Sequence, residues 1–357
     1  MDISKNKPFS CPRYAEDLIT INGCDWFDWN ILRNSSLLIS GSTGMIGSCL
    51  IDAIMFRNRV HGLNCKVFAL SRSREKACSR FAEWSDSSLL QILEGDVNQE
   101  INYLLPGKID YVLHLASNTH PVAYATDPIG TVLTNIIGTR NMLEAAMSQG
   151  ARRFLFASSN EIYGENRGDK ELFDESYSGY IDCNSLRAGY TESKRCGEAL
   201  CQAYLRQKGL DIVIARLTRS FGPTLLPSDT KAMSQFLRNG VNGEDIVLKS
   251  KGDQLYSYTY TADAVTGLLT VLLKGECGQA YNVAEESFDI PLKEIAGIIA
   301  EEAGTKVVFD LPDEVEAAGF SKATKARLDG SKLRALGWRA QYTLREGLSR
   351  TLKCLNP

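Results

Sequence analysis

The chain has 357 residues, of which 44% are hydrophobic, so it is long and apolar enough to bury a large core. Its formal charge of −3 arises from interleaved acidic and basic residues with no basic stripe, which argues against nucleic acid as a partner. No stretch reaches the roughly 18–20 apolar residues of a membrane span, and residues 1–10 are polar without a signal-peptide core. We therefore expect a cytoplasmic protein with no membrane association.

Apolar, β-branched runs alternate with helical periods through the first two thirds of the chain. The predicted strands are Ser36 to Ser40, Lys66 to Ser71, Ile92 to Gly95, Asp110 to Ser117, Arg153 to Ser159 and Asp211 to Leu217. The predicted helices are Met45 to Phe56, Gly130 to Ser148, Ala188 to Lys208 and Leu292 to Ala303. In the second of these helices, Leu133, Ile136, Ile137, Met142, Leu143 and Ala146 are expected to share a buried face. The alternation predicts an α/β fold built on a Rossmann-type doubly wound parallel sheet.

The predicted organisation places smaller units before and after this sheet. Residues 1–35 form an N-terminal extension whose amphipathic stretch, Tyr14 to Ile21, and aromatic residues Trp26, Phe27 and Trp29 are expected to pack against the sheet flank. Residues 36–217 form the dinucleotide-binding domain, to which 255–275 return. Residues 218–254 and 276–357 form a smaller mixed lobe that is expected to bind substrate.

Cysteine and histidine patterns predict neither a disulfide framework nor a metal centre. The ten cysteines are scattered with no CxxC pair, which favours free thiols. The three histidines, His61, His114 and His120, show no recognisable ligand spacing.

The first strand ends in a glycine-rich turn that opens directly into a helix. The turn reads Gly41-Ser42-Thr43-Gly44-Met45-Ile46-Gly47. Glycines allow a tight turn and a close backbone approach to a pyrophosphate, and the helix N-terminus offers unpaired N–H groups. The spacing is GxxGxxG instead of GxGxxG, and a purely structural turn is the alternative.

The residues after the second and third strands bear on which dinucleotide binds. Arg72 and Arg74 follow the second strand, where NAD-binding folds place a carboxylate and NADP-binding folds an arginine. This pattern favours NADP over NAD, although solvated surface arginines would look the same. Asp96, after the third strand, either binds the adenine amine or caps a turn.

Two predicted elements carry candidate catalytic groups. Tyr190 and Lys194 lie four residues apart on one helix face, so the ammonium can help lower a tyrosine pKa that is ordinarily near 10. Tyr204 and Lys208 repeat this spacing, so context must choose between the pairs. Ser158-Ser159-Asn160-Glu161-Ile162-Tyr163-Gly164 follows a strand, at the sheet edge where ligands bind.

Together, the glycine turn, the Ser-Asn-Glu-Ile-Tyr-Gly segment, Tyr190 with Lys194, and Arg216 to Pro223 resemble the extended short-chain dehydrogenases, the nucleotide-sugar epimerases and dehydratases. The resemblance implies Ser159, Tyr190 and Lys194 as the catalytic set, with Tyr204 and Lys208 as a packing pair. Implied cofactor contacts are Gly41, Thr43, Gly44, Met45, Ile46, Gly47, Arg72, Asp96, Val97, Leu115, Ala116, Ser117, Tyr190 and Lys194. Implied substrate contacts are Asn118, Asn160, Arg187, Arg219 and Tyr256. The relatives pair two helices, here Gly130 to Ser148 and Ala188 to Lys208, into a four-helix homodimer interface.

Within the family, the chain looks most like the UDP-glucuronate decarboxylases, through segments such as His114 to Ser117 and Arg187 to Glu198. Two positions depart from that group. Arg219 stands where the group has asparagine, and Tyr256 stands where it has a substrate-binding arginine. This places recognition of a carboxylate in doubt, unless Arg219 replaces the charge from the other side of the cleft.

The resemblance implies a first step in which Tyr190 takes the proton of the sugar 4-hydroxyl while C4 is oxidised. From the 4-keto sugar, Glu161 fits the role of a base at C5 that leads to loss of the C6 hydroxyl, so we expect a 4,6-dehydratase. Alternatively, Glu161 has only a structural role, as the cap of a loop. Decarboxylation, 4-epimerisation and 4-keto reduction are the competing reactions, and a non-catalytic NAD(P)-binding sensor is the competing class.

Overall fold

A computed structural model describes residues 8–119, 124, 126–185, 187–311 and 325–356. The helices are α1 (Pro12–Asn22), α2 (Met45–His61), α3 (Arg74–Arg80), α4 (Pro128–Gln149), α5 (Ala188–Lys208), α6 (Ala232–Asn242), α7 (Thr261–Lys274), α8 (Leu292–Ala303), α9 (Ser331–Ala335) and α10 (Leu344–Leu355). The strands are β1 (Ser36–Ser40), β2 (Lys66–Ser71), β3 (Leu90–Glu94), β4 (Tyr111–His114), β5 (Arg153–Ser159), β6 (Ile212–Leu217), β7 (Arg219–Phe221), β8 (Ile246–Leu248), β9 (Leu255–Tyr256), β10 (Tyr258–Tyr260), β11 (Ala280–Val283), β12 (Ile290–Pro291), β13 (Val307–Phe309) and β14 (Lys325–Ala326).

A seven-stranded sheet forms the centre of the fold, in the order β3-β2-β1-β4-β5-β6-β11. Every neighbouring pair in it is parallel. Strands such as β1 are buried along their whole length, because helices cover both faces of the sheet. The predicted doubly wound α/β fold is confirmed.

The strand order reverses between β1 and β4, which places the ligand crevice at their carboxyl ends. β4 is shorter than the predicted run, since it ends at His114. Leu115 still donates its N–H to the Ser40 carbonyl oxygen at 3.3 Å, but the residues after it leave the sheet and line the crevice. The glycine turn after β1 and the Leu115–Ser117 segment after β4 are therefore neighbours.

The apolar face predicted for α4 is buried at three of its six positions, Met142, Leu143 and Ala146, whereas Ile136 and Ile137 are half-buried. Leu133 is 45% exposed, and Ile129, one turn earlier, is 73% exposed. The buried face instead includes the polar residues Thr131 and Asn135. Apolar periodicity locates a helix stripe, but it does not show whether the same chain or another surface covers that stripe.

The N-terminal extension packs as predicted. Tyr14, Leu18 and Ile21 of α1 are fully buried, and α1 contacts α2, α7 and α10. Phe27 and Trp29 are also buried. The extension is therefore part of the layer of helices on one side of the sheet.

The expectation of free thiols is wrong for two of the ten cysteines. Cys11, just before α1, forms a disulfide with Cys354 of α10, and their Cα atoms are 5.2 Å apart. The two residues are 343 positions apart in the chain, so no local spacing in the sequence announces the pair. The disulfide ties the N-terminal helix to the last helix.

Short strands after β6 build the second lobe. β7 pairs with β10, β8 with β13, and β9 lies between β12 and β14. β11, which lies in a segment that the sequence assigned to this lobe, pairs with β6 in the main sheet instead. The division into domains otherwise stays a prediction. Among the described helices, none is long and apolar enough to cross a membrane.

Candidate active site

The turn between β1 and α2 has the geometry of a dinucleotide cradle. Gly41 has a φ of +68°, and a Cβ atom there would lie 2.7 Å from the backbone nitrogen of Ala116. A Cβ atom on Gly47 would lie 2.3 Å from the Gly41 carbonyl oxygen. Larger side chains are therefore excluded at both positions, and the backbone itself forms the surface of the crevice.

The N-terminus of α2 points its first N–H groups at this crevice. Gly44 is the N-cap residue, and no described side chain caps the helix at that end. Met45 and Ile46 open the helix and are half-buried, as is Thr43 in the turn. Uncapped N–H groups together with the helix dipole favour a bound pyrophosphate, so the residues present fit a nicotinamide dinucleotide.

The residues expected near the adenosine end have unequal surroundings. Arg72 is exposed just after β2, whereas Arg74 is paired with Glu94 at 3.8 Å. Asp96 accepts the N–H of Asn98 at 2.9 Å, so it caps a turn in this structure. Val97 next to it is buried. Of the two predicted arginines, only Arg74 has an ion-pair partner among the described residues, and the role of Arg72 at a 2′-phosphate stays a prediction.

The structure brings Ser159 and Tyr190 together at the carboxyl end of β5. Both residues are buried, and the Ser159 side chain is near enough to the Tyr190 hydroxyl to affect its pKa. Burial nevertheless raises the pKa of Tyr190 to about 12, while Ser159 acts in the opposite direction. The tyrosine is therefore protonated at neutral pH.

Lys194 lies one turn beyond Tyr190 and is 3% exposed. Its Nζ donates to the Ala157 carbonyl oxygen at 2.9 Å and lies 4.9 Å from the centre of the Phe156 ring. Burial lowers the pKa of Lys194 to about 8. The expected lowering of the Tyr190 pKa by this ammonium, acting together with the positive charge of a bound nicotinamide, stays a prediction.

The alternative Tyr-x-x-x-Lys pair has a different environment. The Tyr204 hydroxyl donates to Glu144 of α4, and Lys208 is exposed. The two residues are therefore not a packing pair. Tyr204 links α5 to α4 on the surface.

A buried chain of hydrogen bonds, which sequence reasoning missed, holds α5 next to the crevice. Ser117 donates to Asn135 at 2.7 Å, and Asn135 donates to Ser193 at 2.9 Å. Ser193 in turn donates to the Tyr190 carbonyl oxygen at 2.9 Å. A polar residue at a buried position of α4 was the available signal for Asn135.

Glu161 lies in a short 3-10 helix after β5, between two arginines. Arg187 donates two hydrogen bonds to its carboxylate, at 2.9 and 3.2 Å. Arg219 lies 3.8 Å from the same carboxylate. The charges of all three residues act on the Tyr190 hydroxyl, so Glu161 lies close to Tyr190, and its catalytic role stays a prediction.

Arg219 and Tyr256 are on the same wall of the cleft. Arg219 is paired in register with Tyr258, and its guanidinium carbon lies 3.6 Å from the centre of the Tyr256 ring. The expectation that Arg219 acts from the other side of the cleft is therefore wrong. Arg219 on β7 is opposite Tyr258 on β10, and residue 256 lies two positions before Tyr258 on the same side of the chain. The Arg219 side chain therefore occupies the space beside Tyr256.

A second network, also missed by sequence reasoning, fixes the Glu161 segment. Arg216 binds both carboxylate oxygens of Glu198, at 2.7 and 3.0 Å, and donates to the Tyr163 hydroxyl at 2.9 Å. Tyr163 donates to Asn282 of β11 at 2.6 Å. These bonds join the 3-10 helix that contains Glu161 to β6, β11 and α5, which holds Glu161 in place.

The remaining predicted substrate contacts surround this centre. Asn160 is buried beside Ser159, and Asn118 is half-buried after β4. Tyr124, not singled out by the sequence, stacks on Tyr190 with ring centres 5.0 Å apart. His120 lies outside the described residues. In the described part of the chain, no group of three or more His, Cys, Asp or Glu residues is arranged to hold a metal ion.

Comparison with known proteins assigns this chain to a family. The model of the NAD dependent epimerase/dehydratase family matches residues 37–284. The chain belongs to this family. It is an NAD-dependent enzyme of the type that modifies nucleotide sugars.

Two curated members of the family are about 30% identical to this chain. UDP-glucuronic acid decarboxylase 3 from Arabidopsis thaliana is 31% identical over 320 residues, which covers 88% of this chain and 87% of that protein. UDP-glucuronic acid decarboxylase 1 from Xenopus tropicalis is 30% identical, with coverage of 88% and 71%. Among solved structures, a double mutant of DesIV, a dTDP-glucose 4,6-dehydratase from Streptomyces venezuelae with bound NAD, is 25% identical with a TM-score of 0.76, covering 89% of this chain and 96% of that chain.

Proposed function

We propose that this protein oxidises C4 of the sugar in a nucleotide-linked uronate and then releases the sugar carboxylate as carbon dioxide. The observation that carries the choice of reaction is the pairing of Glu161 with Arg187 and Arg219 beside Tyr190. Bound nicotinamide would supply the acceptor for the C4 hydride and would later return it.

Tyr190 and Ser159 would carry the proton in the first step. The Tyr190 oxygen, as tyrosinate, would take the proton of the sugar 4-hydroxyl, with Ser159 as the neighbouring hydroxyl that lowers the Tyr190 pKa. Because burial raises the pKa of Tyr190 to about 12, the positive charge of a bound nicotinamide would have to favour the tyrosinate before this transfer, and Tyr190 is protonated after it. A protonated Tyr190 is also the donor that a 4-ketone requires when it is reduced again.

The pairing of Glu161 favours decarboxylation over dehydration. Dehydration needs a base that removes the C5 hydrogen, and the Glu161 carboxylate is instead occupied by contacts with two guanidinium groups. Decarboxylation needs no such base, because the electrons of the C5–C6 bond move into the C4 ketone as carbon dioxide leaves. The curated relatives, both named as UDP-glucuronic acid decarboxylases, support the same choice.

The 4,6-dehydratase that the sequence favours is the second candidate. It is supported by the position of Glu161, whose charge reaches the Tyr190 hydroxyl, and by the 25% identity to DesIV. In this reaction Glu161 would have to release Arg219 or Arg187 before it takes the C5 proton.

We also propose NADP as the preferred dinucleotide. This proposal is supported by the exposure of Arg72 just after β2 and by the engagement of the nearby Glu94 carboxylate by Arg74. A homodimer formed through α4 and α5 would cover the exposed side chains of Ile129 and Leu133, and light scattering would test it.

Mass spectrometry distinguishes these reactions. The purified protein is incubated in heavy water with catalytic dinucleotide and a panel of UDP-, dTDP-, GDP- and CDP-sugars that includes UDP-glucuronate. We expect a product from the uronate that lacks one carbon dioxide and carries deuterium at C5. A product that lacks one water would establish the dehydratase instead. An unchanged mass would lead to chromatography for 4-epimers, and dinucleotide binding without any turnover would indicate a sensor.

A further inference from the structure

The guanidinium group of Arg219 has an incomplete set of partners. It lies on the face of the Tyr256 ring and 3.8 Å from the Glu161 carboxylate. Its Nη1 atom is buried and donates to no acceptor among the described residues. The side chain as a whole is 23% exposed, so a ligand can still contact part of it.

Two positive charges, on Arg187 and Arg219, lie beside the single negative charge of Glu161. Glu161 carries one negative charge, and Arg187 already satisfies it with two hydrogen bonds. Arg187 and Arg219 therefore share the single carboxylate of Glu161, which leaves one positive charge in excess beside Tyr190. A partly desolvated cation with an unpaired N–H is costly, and an anion from the ligand would remove that cost.

We propose that Arg219 is the residue that selects substrates with a carboxylate on C5 of the sugar, and that Tyr256 is the platform that holds its guanidinium in place. The inference rests on the proposed C4 oxidation, because that reaction places C4 at Tyr190 and the C5 substituent on the adjacent carbon. A flat guanidinium presents parallel N–H groups that match a carboxylate, whereas a neutral hydroxymethyl group leaves the charge unpaired.

The test compares two ligands that differ only at C6 of the sugar. Dissociation constants of UDP-glucuronate and UDP-glucose are measured by calorimetry on the dinucleotide-loaded protein carrying Tyr190→Phe, in which bound ligand is expected to persist unconverted. We expect Arg219→Gln to weaken UDP-glucuronate binding by about 10- to 100-fold and UDP-glucose binding by less than about threefold. Arg219→Lys keeps the charge but loses the planar fork, so it should retain part of the discrimination.

Tyr256 gives a second, independent pair of variants. Tyr256→Phe keeps the ring and should keep the preference for the uronate, whereas Tyr256→Leu removes the ring and should reduce it by about fivefold. Arg339→Gln, which removes an exposed arginine from the Trp26 surface, is the control and should change neither affinity. Should Arg219→Gln fail to fold, Arg219→Lys and the Tyr256 pair decide the question.

Failure of the inference differs from failure of the proposed function. Equal losses for both ligands, or no loss for either, would show that Arg219 does not select the carboxylate even though nucleotide sugars bind. If the protein binds neither ligand and the sugar panel gives no turnover, the proposed function is wrong and the inference falls with it.

Discussion

His114 provides the sharpest test of how this active-site crevice is built. It is fully buried on β4, and its Nδ1 lies 2.7 Å from the Ser40 hydroxyl at the end of β1. The same hydroxyl accepts the N–H of Ala116, so this contact holds the two strand ends that flank the crevice. Burial, assisted by the charge of Lys194, lowers the pKa of His114 from 6.5 to about 3.

Because the pKa of His114 is lower in the folded protein than in the unfolded chain, the stability of the fold depends on pH. Below pH 6.5 the unfolded chain binds a proton at this histidine and the folded protein does not, so stability falls as the pH drops from 6.5 towards 3. At pH 4.5, protonation of this histidine stabilises the unfolded state relative to the folded state by about 3 kcal/mol. His114→Gln should therefore cost about 1 kcal/mol at pH 7.5, through the lost hydrogen bond, yet be more stable than the parent at pH 4.5.

Urea unfolding at pH 7.5 and pH 4.5, followed by circular dichroism, measures both free energies. His61→Gln is the matched control, because His61 is exposed at the end of α2. The reasoning is refuted if the difference between His114→Gln and the parent is the same at both pH values, since the folded protein would then bind the proton as readily as the unfolded chain.

Four further outcomes follow from the structure. Tyr190→Phe should abolish turnover while leaving dinucleotide affinity nearly unchanged, as measured by product assay and fluorescence titration, and retained turnover would exclude Tyr190 as the proton carrier. Burial raises the pKa of Asp263 to about 8, so the free-energy cost of ionising this carboxylate in the folded state grows as the pH rises from 3.8 towards 8. In urea unfolding, Asp263→Asn should therefore stabilise the protein by about 2–4 kcal/mol at pH 7.5 but by less at pH 5. Cys354→Ser should lower the free energy of unfolding by about 2–5 kcal/mol in the absence of reductant, whereas Cys277→Ser, at an exposed free thiol, should not; equal effects would argue against the disulfide. Arg72→Ala should weaken NADP binding far more than NAD binding in a fluorescence titration, and equal losses would contradict its role at the 2′-phosphate.

The residues that are adjacent in the chain or one helical turn apart were predictable. The glycine turn follows a buried apolar strand and precedes a helical period, and both signals are local, so the cradle around Gly41 was found. The four-residue spacing of Tyr190 and Lys194 likewise defines one face of a helix. The parallel sheet also followed from the alternation of strands and helices, although β11 joined it from a segment assigned elsewhere.

The electrostatic state of the site was decided by tertiary structure. The sequence predicts that Lys194 approaches Tyr190, but only burial, which depends on every neighbouring element, determines that the tyrosine pKa rises instead of falling. Glu161 looked like a ready base, and its pairing with Arg187, 26 residues later in the chain, changed that interpretation.

The sequence by itself determined the family and the fold, because each depends on short-range patterns whose geometry the backbone imposes. Only the tertiary structure decided where Arg219 lies, which cysteines meet and which face of α4 stays exposed. Each of these depends on contacts between residues far apart in the chain, such as β7 with β10 and Cys11 with Cys354, and no local periodicity encodes such contacts.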